Sequence, residues 1–84
     1  MNKDSIQQDW NNRGYSFGVF TDPPGQIWQN YVHNSDELFM VVKGTVEIIL
    51  EGKSIIPEIG EEIFIPKNCI HTVKNIGDTE SEWF

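Results

Sequence analysis

The sequence predicts an all-β domain in the form of a small jelly roll, barrel or sandwich. Apolar and β-branched residues occur in short runs, several of them with alternating polarity, which is typical of strands. Glycine, proline, asparagine and aspartate separate these runs at close spacing, as they do in closed or double-sheet β architectures. The chain has 84 residues, and we expect residues 1–84 to form one domain.

The predicted elements follow one another with short turns between them. The N-terminal residues are polar and predict one short helical turn, around Ser5–Asp9. The prolines of Asp22–Gly25 prevent a continuing ladder, and Lys43 and Gly44 predict the turn of a hairpin. We expect strands at Tyr15–Phe20, Gln26–Val32, Glu37–Val42, Thr45–Glu51, Ser54–Ile56, Glu62–Ile65, Ile70–Asn75 and Glu80–Phe84.

The predicted strand Glu37–Val42 is apolar on both of its faces. Because side chains alternate along a strand, one face carries Glu37, Phe39 and Val41, and the other carries Leu38, Met40 and Val42. One face should line the interior, and the other needs cover because a large apolar patch is unusual on a monomer. We expect a homodimer, the commonest symmetric assembly, to supply that cover. The alternative is cover by the chain's own N-terminal strands, Tyr15–Phe20 and Gln26–Val32.

The composition limits the classes of partner and compartment. The formal net charge is -7 with only 6 lysines and arginines, and phosphate binding needs clustered basic residues, so we expect no nucleic-acid partner. No apolar run has the length of a membrane span, and the polar N-terminus lacks the apolar segment of a signal peptide. The single cysteine, Cys69, excludes an intrachain disulfide and fits a reducing compartment. We therefore expect a cytoplasmic protein with no membrane partner.

The two histidines of the chain, His33 and His71, suggest a metal site together with Glu37. A lone histidine beside apolar residues is more often a packed or surface residue than a ligand. Glu37, however, stands at the start of an apolar strand, where a charge must face water or be paired. Two histidines and one carboxylate can occupy one face of an octahedral metal ion and leave positions open for water or substrate. These three residues are therefore candidate ligands of a divalent metal ion.

The spacing of these residues resembles the first motif of the cupin family, G-x5-H-x-H-x3-4-E-x6-G. In residues 25–44 the motif positions are filled by Gly25, Tyr31, His33, Glu37 and Gly44. Tyr31 replaces the first histidine of the motif, and the other four positions match in residue type.

The second motif of the family, G-x5-P-x-G-x2-H-x3-N, resembles residues 60–75. Its positions are filled by Gly60, Pro66, Asn68, His71 and Asn75, so that only the middle glycine differs. Asparagine is the commonest substitute for glycine where φ is positive, and Asn68 should therefore keep the same turn. Together the two motifs span most of the chain.

The resemblance implies a small cupin-type jelly-roll β-barrel, or double-stranded β-helix, with a pocket inside. Cupins commonly hold iron, manganese, zinc, nickel or copper, and the ligands here would be His33, Glu37 and His71. A small polar molecule, such as a carboxylate, sugar or oxygenated metabolite, would bind at the open coordination positions as ligand or substrate. The fold does not decide whether the protein is an enzyme. The alternative is a non-catalytic binding or sensing module, with or without a metal.

Tyr31, Phe39 and Cys69 are further candidates for the pocket. Tyr31 shares the parity of His33, and three roles are open to it: a packed core aromatic, a hydrogen-bond donor to metal-bound water or substrate, or a phenolate ligand. Phe39 could line the pocket or belong to the core. Cys69 could face the pocket as a thiolate ligand or act as a small buried apolar filler.

Overall fold

The computed structural model of the protein describes residues 2–84. Within these residues it contains one helix, α1, and eight short strands, β1 to β8. Their bounds are α1 (Lys3–Asn12), β1 (Phe20–Asp22), β2 (Ile27–Tyr31), β3 (Glu37–Lys43), β4 (Val46–Leu50), β5 (Lys53–Ile55), β6 (Glu62–Ile65), β7 (His71–Asn75) and β8 (Ser81–Trp83).

The strands form two four-stranded antiparallel sheets, with the orders β1-β8-β3-β6 and β2-β7-β4-β5. The inward side chains of both sheets pack into one apolar cluster, which contains Phe39, Val41, Val46, Ile48, Ile65, Cys69 and Val73. Interdigitating inner faces of two sheets are the usual core of a double-sheet β fold. The predicted all-β jelly roll is confirmed, with one helix added to it.

The strand predicted at Tyr15–Phe20 is wrong, because only its last residue enters a sheet. β1 begins at Phe20, which pairs with Trp83 of β8. The preceding residues 15–19 form a strap without regular secondary structure. It begins at the helix, where the Tyr15 amide donates to the Trp10 carbonyl at 2.9 Å. Tyr15 and Phe17 pack against a second core cluster. The alternation therefore reflected side chains packing on the helix and β3 and not a strand in a ladder.

Helix α1 is longer than the single turn expected from the sequence. The Asn2 side chain caps it by accepting a hydrogen bond from the Ser5 amide at 3.1 Å. The helix ends before Gly14, whose φ of 91° lies in the left-handed region that favours glycine. Within residues 2–84, no helix combines the length and apolar character needed to cross a membrane.

The second apolar face of β3 is covered by the chain itself. Leu38 and Met40 pack with Trp10 of the helix and with Phe84, and side chains of the strap complete the cluster. The expected source of cover was a partner subunit, or N-terminal strands of the same chain; the cover comes from α1 and the strap instead. The homodimer stays a prediction, and a dimer would have to use another surface.

Polar contacts fix the helix onto the sheet. The indole Nε1 of Trp10 donates to Glu62 Oε1 at 3.2 Å. Arg13 donates to both oxygens of the same carboxylate, at 2.8 and 2.9 Å. These hydrogen bonds from Arg13 hold the pKa of Glu62 below its usual range. Since a bidentate pair has a defined geometry, it fixes the end of α1 over β6.

Removal of the Trp10 side chain should destabilise the fold strongly. Trp10 is 2% exposed and its ring contacts those of Phe17 and Phe84 edge to face. Trp10→Ala leaves a cavity between α1 and β3, and we expect the free energy of unfolding to fall by about 3–5 kcal/mol. Urea unfolding measures the change. Ile56→Ala is the control, since Ile56 is 57% exposed and should change stability little. Equal effects of the two substitutions would contradict the position of the helix.

The Arg13 contact should make part of the stability depend on pH. A carboxylate whose pKa is lower in the folded than in the unfolded chain stabilises the fold above the unfolded pKa, and this contribution disappears as the pH falls. Glu62→Gln should therefore lower the free energy of unfolding at pH 7, by less than about 1 kcal/mol. It should then lose less stability than wild type when the pH falls below the ordinary glutamate pKa of 4.5.

Urea unfolding at pH 7 and pH 3 tests this sign. Glu80→Gln is the matched control, because Glu80 is an exposed glutamate with a longer contact of 3.9 Å to Lys43. If Glu62→Gln lost as much stability in acid as wild type, the Arg13 contact would not be the source of the pH dependence.

Candidate metal centre

The fold brings His33, Glu37 and His71 to one place from three parts of the chain. His33 lies in the link between β2 and β3, Glu37 is the first residue of β3, and His71 is the first residue of β7. The link is held against the turn before β7, because the Asn68 amide donates to the His33 carbonyl at 2.7 Å. β2 pairs with β7 so that Tyr31 lies opposite His71.

A bulge in β2 separates the regular part of that strand from the site. The register of β2 against β7 shifts between Trp28 and Tyr31. Asn30 has a φ of 56°, and its amide donates to the Thr72 hydroxyl at 3.0 Å instead of to the β7 backbone. Bulges re-aim side chains at the ends of strands. This one sets the direction in which Tyr31 leaves the sheet beside His71.

The three candidate ligands are close enough to share an ion. One ligand atom from each of His33, Glu37 and His71 lies within 4.8 Å of the others. His33 Nε2 is 3.3 Å from Glu37 Oε1, and the two imidazole ring centroids are 5.3 Å apart. The donor set is therefore two imidazole nitrogens and one carboxylate oxygen, which suits a divalent transition metal.

His71 is oriented by the backbone. It is 6% exposed, and its Nδ1 is 3.1 Å from the carbonyl oxygen of Cys69. A carbonyl can only accept, so this contact places the hydrogen on Nδ1 and leaves the lone pair on Nε2. Histidines that bind a metal through one ring nitrogen typically donate a hydrogen bond from the other, because this bond fixes the tautomer and the ring direction.

The candidate ligands line a cavity of about 540 Å³. Tyr31 and Phe39, both predicted for the pocket, also line it. The Tyr31 ring lies nearly parallel to that of His33, with 6.2 Å between centroids and 10° between planes, and its centroid is 6.4 Å from that of His71. Tyr31 is 42% exposed, so it forms part of the cavity wall and is not a fully packed core aromatic.

Cys69 lies outside the lining of this cavity. Its side chain is buried in the cluster between the two sheets, as the filler interpretation expects. Burial, together with the nearby Glu51 carboxylate, raises the pKa of the Cys69 thiol. The thiol therefore stays protonated, and it is the carbonyl of Cys69 that serves the site, through His71.

Asp22, for which the sequence predicted a turn, holds two side chains that line the cavity. It ends β1 and is 4% exposed. One of its carboxylate oxygens, Oδ2, accepts from the indole Nε1 of Trp28 at 3.0 Å and from that of Trp83 at 2.8 Å. Both indoles line the cavity, and they belong to different sheets. The prolines that follow Asp22 pointed to a turn, and no local pattern indicated two distant tryptophans.

The strap is the other part of the site that was not foreseen. Residues 15–18 line the cavity together with Trp10 of α1, so the N-terminal region forms one of its walls. The sequence predicted a strand for residues 15–18. Their contribution depends on where α1 docks, which local polarity does not reveal.

The remaining motif residues hold turns and connections. Asn68 has a φ of 61°, which confirms the positive-φ turn expected of it. The Asn75 amide donates to the carbonyls of Asp22 and Thr79 at 3.1 and 2.9 Å, and its oxygen accepts from the Gly77 amide at 3.0 Å. Buried and fully paired, Asn75 ties β7 to β1 and to the turn before β8.

Solved structures with the same fold come from several sources. A protein from Thermotoga maritima described as a predicted oxalate decarboxylase has 21% identity and a TM-score of 0.74, over 99% of this chain and 70% of its own. The cupin domain of Schizosaccharomyces pombe Cnp3 has 18% identity and a TM-score of 0.73, over 79% of this chain and 49% of its own. These likenesses establish a cupin double-stranded β-helix.

One similar structure is an oxalate oxidase in complex with the substrate analogue glycolate. It has 26% identity and a TM-score of 0.70 over 77% of this chain. The chain spans 37% of the length of that enzyme and about half of the Cnp3 domain structure. No curated protein sequence matches the chain.

The family model for the cupin domain matches residues 18–84, which include both motifs and all eight strands. This match covers most of the chain, and the structure has the fold and the motif turns of the family. The chain belongs to the cupin family.

Proposed function

We propose that this cupin binds one divalent metal ion through His33, Glu37 and His71 and accepts a small polar ligand at the open coordination positions. One observation carries the proposal, namely that a ligand atom from each residue lies within 4.8 Å of the others. Bonds from divalent metals to nitrogen and oxygen are about 2.0–2.2 Å long. Atoms at this spacing can reach a common ion by small side-chain rotations.

The surroundings of the three residues fit an ion. His71 is buried with its Nε2 free, so its imidazole can bind a metal without first losing a hydrogen bond. His33 and Glu37 are partly exposed and already in contact, and the Glu37 carboxylate would neutralise part of the charge of the ion. The net charge of -7 also favours cations near the surface. The donor set does not choose among zinc, iron, manganese and nickel.

The chain's own residues would bind, orient and shield the ligand. A bound metal supplies Lewis acidity or oxygen activation. The backbone contact at Cys69 keeps His71 in one orientation, and the aromatic walls of the cavity reduce the access of water. Tyr31, beside both histidines, is positioned to donate a hydrogen bond to a ligand in the cavity.

Two versions of this function differ in whether a reaction follows binding. A catalytic version needs a group that moves a proton. Among the cavity-lining residues of the described chain, the groups outside the proposed ligand set that carry a titratable proton are Tyr15, Tyr31 and Asp36. Asp36 accepts from the Lys67 amide at 2.8 Å, which occupies one of its oxygens. The small number of proton-carrying groups in the cavity, one of them already hydrogen-bonded, favours the second candidate, a binding or sensing module without catalysis.

The similar structures support a carboxylate as the polar ligand. Glycolate, a substrate analogue, is bound in the oxalate oxidase structure, and the Thermotoga maritima protein is described as a predicted oxalate decarboxylase. A carboxylate supplies the oxygen donors that open positions on such a metal accept. The proposal includes a cytoplasmic homodimer, for which a single buried cysteine and the exposed apolar side chains of Ile27 and Val32 are the supporting features.

Loss of a ligand should remove the metal. We expect wild type to retain close to one zinc ion per chain in equilibrium dialysis followed by elemental analysis. His71→Ala and Glu37→Gln should each weaken binding by more than about 100-fold, because removal of an outer-shell partner alone costs about 10- to 100-fold. The matched control is Glu80→Gln, an exposed glutamate on the link to β8. Full retention of metal by both ligand variants would refute the three-residue site.

Tyr31→Phe should keep both the fold and the metal. The phenylalanine ring preserves the parallel contact with His33, and the proposed ligand set does not include the phenol oxygen. Circular dichroism and metal content should equal those of wild type. The opposing result is a visible charge-transfer band in the ferric protein that disappears in Tyr31→Phe, since only a phenolate ligand produces it.

A further inference from the structure

Aromatic side chains form a continuous wall that leads away from the candidate metal centre. Tyr31 lies beside His33 and His71, and its ring centroid is 6.1 Å from that of Trp28. Across the cavity, Trp83 stacks on Phe20 with 4.4 Å between centroids and 18° between planes. Trp28, Tyr31 and Phe20 are 37%, 42% and 46% exposed. Large aromatic surfaces therefore remain available to a ligand in the cavity.

The walls hold their shape before any ligand arrives. The Asp22 carboxylate accepts from both indole Nε1 groups at once, and this one oxygen ties the β2 wall to the β8 wall. Phe39 also packs against Trp83, with 5.0 Å between centroids. Rings fixed in this way lose little conformational freedom on binding, which favours affinity for a flat partner.

The charge of the cavity favours a ligand with a single negative charge. Within residues 2–84, the cavity lining contains neither lysine nor arginine, whereas Asp36 and Glu37 are both part of it. At the metal centre itself, a divalent ion with the Glu37 carboxylate would carry one net positive charge, which pairs with one ligand carboxylate. Asp36 lies in the cavity lining but outside the proposed ligand set, and its negative charge further disfavours a second ligand carboxylate. A second ligand carboxylate would enter an aromatic cavity with no cation to pair with it, at a high cost in free energy.

The size of the cavity favours a ligand larger than a two-carbon acid. Its volume is about 540 Å³, and pockets for small organic ligands generally span roughly 300–1,000 Å³. Glycolate or oxalate would coordinate the metal ion but leave most of the aromatic wall without contacts. A ring attached to the chelating group would fill that space and stack on the wall.

We propose that the ligand is an aromatic monocarboxylate, whose carboxylate and a neighbouring oxygen face the metal centre while its ring lies against Trp28 and Tyr31. This inference rests on the metal-binding function proposed above. It adds the chemical class of the ligand to that function. A cavity for an aromatic monocarboxylate differs from one that binds a small dianion such as oxalate.

A matched pair of probes tests the class directly. Mandelate and glycolate carry the same α-hydroxy carboxylate and the same single charge, and they differ by one phenyl ring. Isothermal titration of the zinc-loaded protein should give tighter binding of mandelate by on the order of tenfold or more, the gain expected for burial of such a ring. Oxalate, a dianion, should bind more weakly than mandelate. Equal affinities for mandelate and glycolate would overturn the inference.

Variants locate the ring. Trp28→Leu should bring the affinity for mandelate close to that for glycolate, both measured on protein whose zinc content has been confirmed. The control is Phe64→Leu, because Phe64 is 50% exposed and lies outside the cavity lining. Tyr31→Leu, on the same wall, is the second variant if Trp28→Leu does not fold. An unchanged preference for mandelate in a folded cavity variant would also count against the proposed ring position.

Failure of the inference and failure of the metal site give different results. A protein that holds stoichiometric zinc but does not prefer mandelate retains the proposed function and loses the ligand class. If no zinc binds, the metal proposal fails, and benzyl alcohol then probes the walls of the metal-free protein through tryptophan fluorescence. A saturable change that Trp28→Leu removes supports the aromatic subsite, and the absence of any change overturns it.

Discussion

Burial of β3 on both of its faces is the constraint that the other elements satisfy. Its inner residues, Phe39 and Val41, belong to the core between the sheets, and this directs Glu37, on the same face at the start of β3, into the cavity. Its outer residues would meet water if the sheet ended there. Helix α1 and the strap supply the missing layer, so that a chain of 84 residues builds two apolar clusters on either side of one strand. A domain of this size buries a smaller fraction of its surface than a large domain does, and burial of both faces of one strand increases that fraction.

The same constraint couples the cavity to the N-terminal region. Trp10 is buried against the outer face of β3, yet it also belongs to the cavity lining, as do residues 15–18. The segment that covers the outer face thus also closes one side of the site. Stability of the fold and the shape of the ligand cavity are therefore linked through α1, although α1 carries none of the candidate ligands.

The sequence predicted what local patterns and fixed spacings encode. Seven of the expected strands matched because alternation or a bounded apolar run marked them. The motif spacing pointed to His33, Glu37 and His71, and the fold brings a ligand atom of each within 4.8 Å of the others. Helix α1 was underestimated because Ile6 and Trp10 are its main apolar residues, too few for a clear helical period. The role of Asp22 was invisible because its partners lie 6 and 61 residues away and are joined only by the closed fold.

The orientation of His71 by a main-chain carbonyl has a consequence for how this site tolerates sequence change. Every residue type at position 69 presents the same carbonyl oxygen, so the hydrogen bond to Nδ1 does not depend on which side chain stands there. The side chain of Cys69, in contrast, has to fit the volume available in the core. Substitution of Cys69 by another small apolar residue would therefore leave the contact that sets the tautomer of His71 in place. Within this one residue, the side chain fills the core and the main chain orients the imidazole.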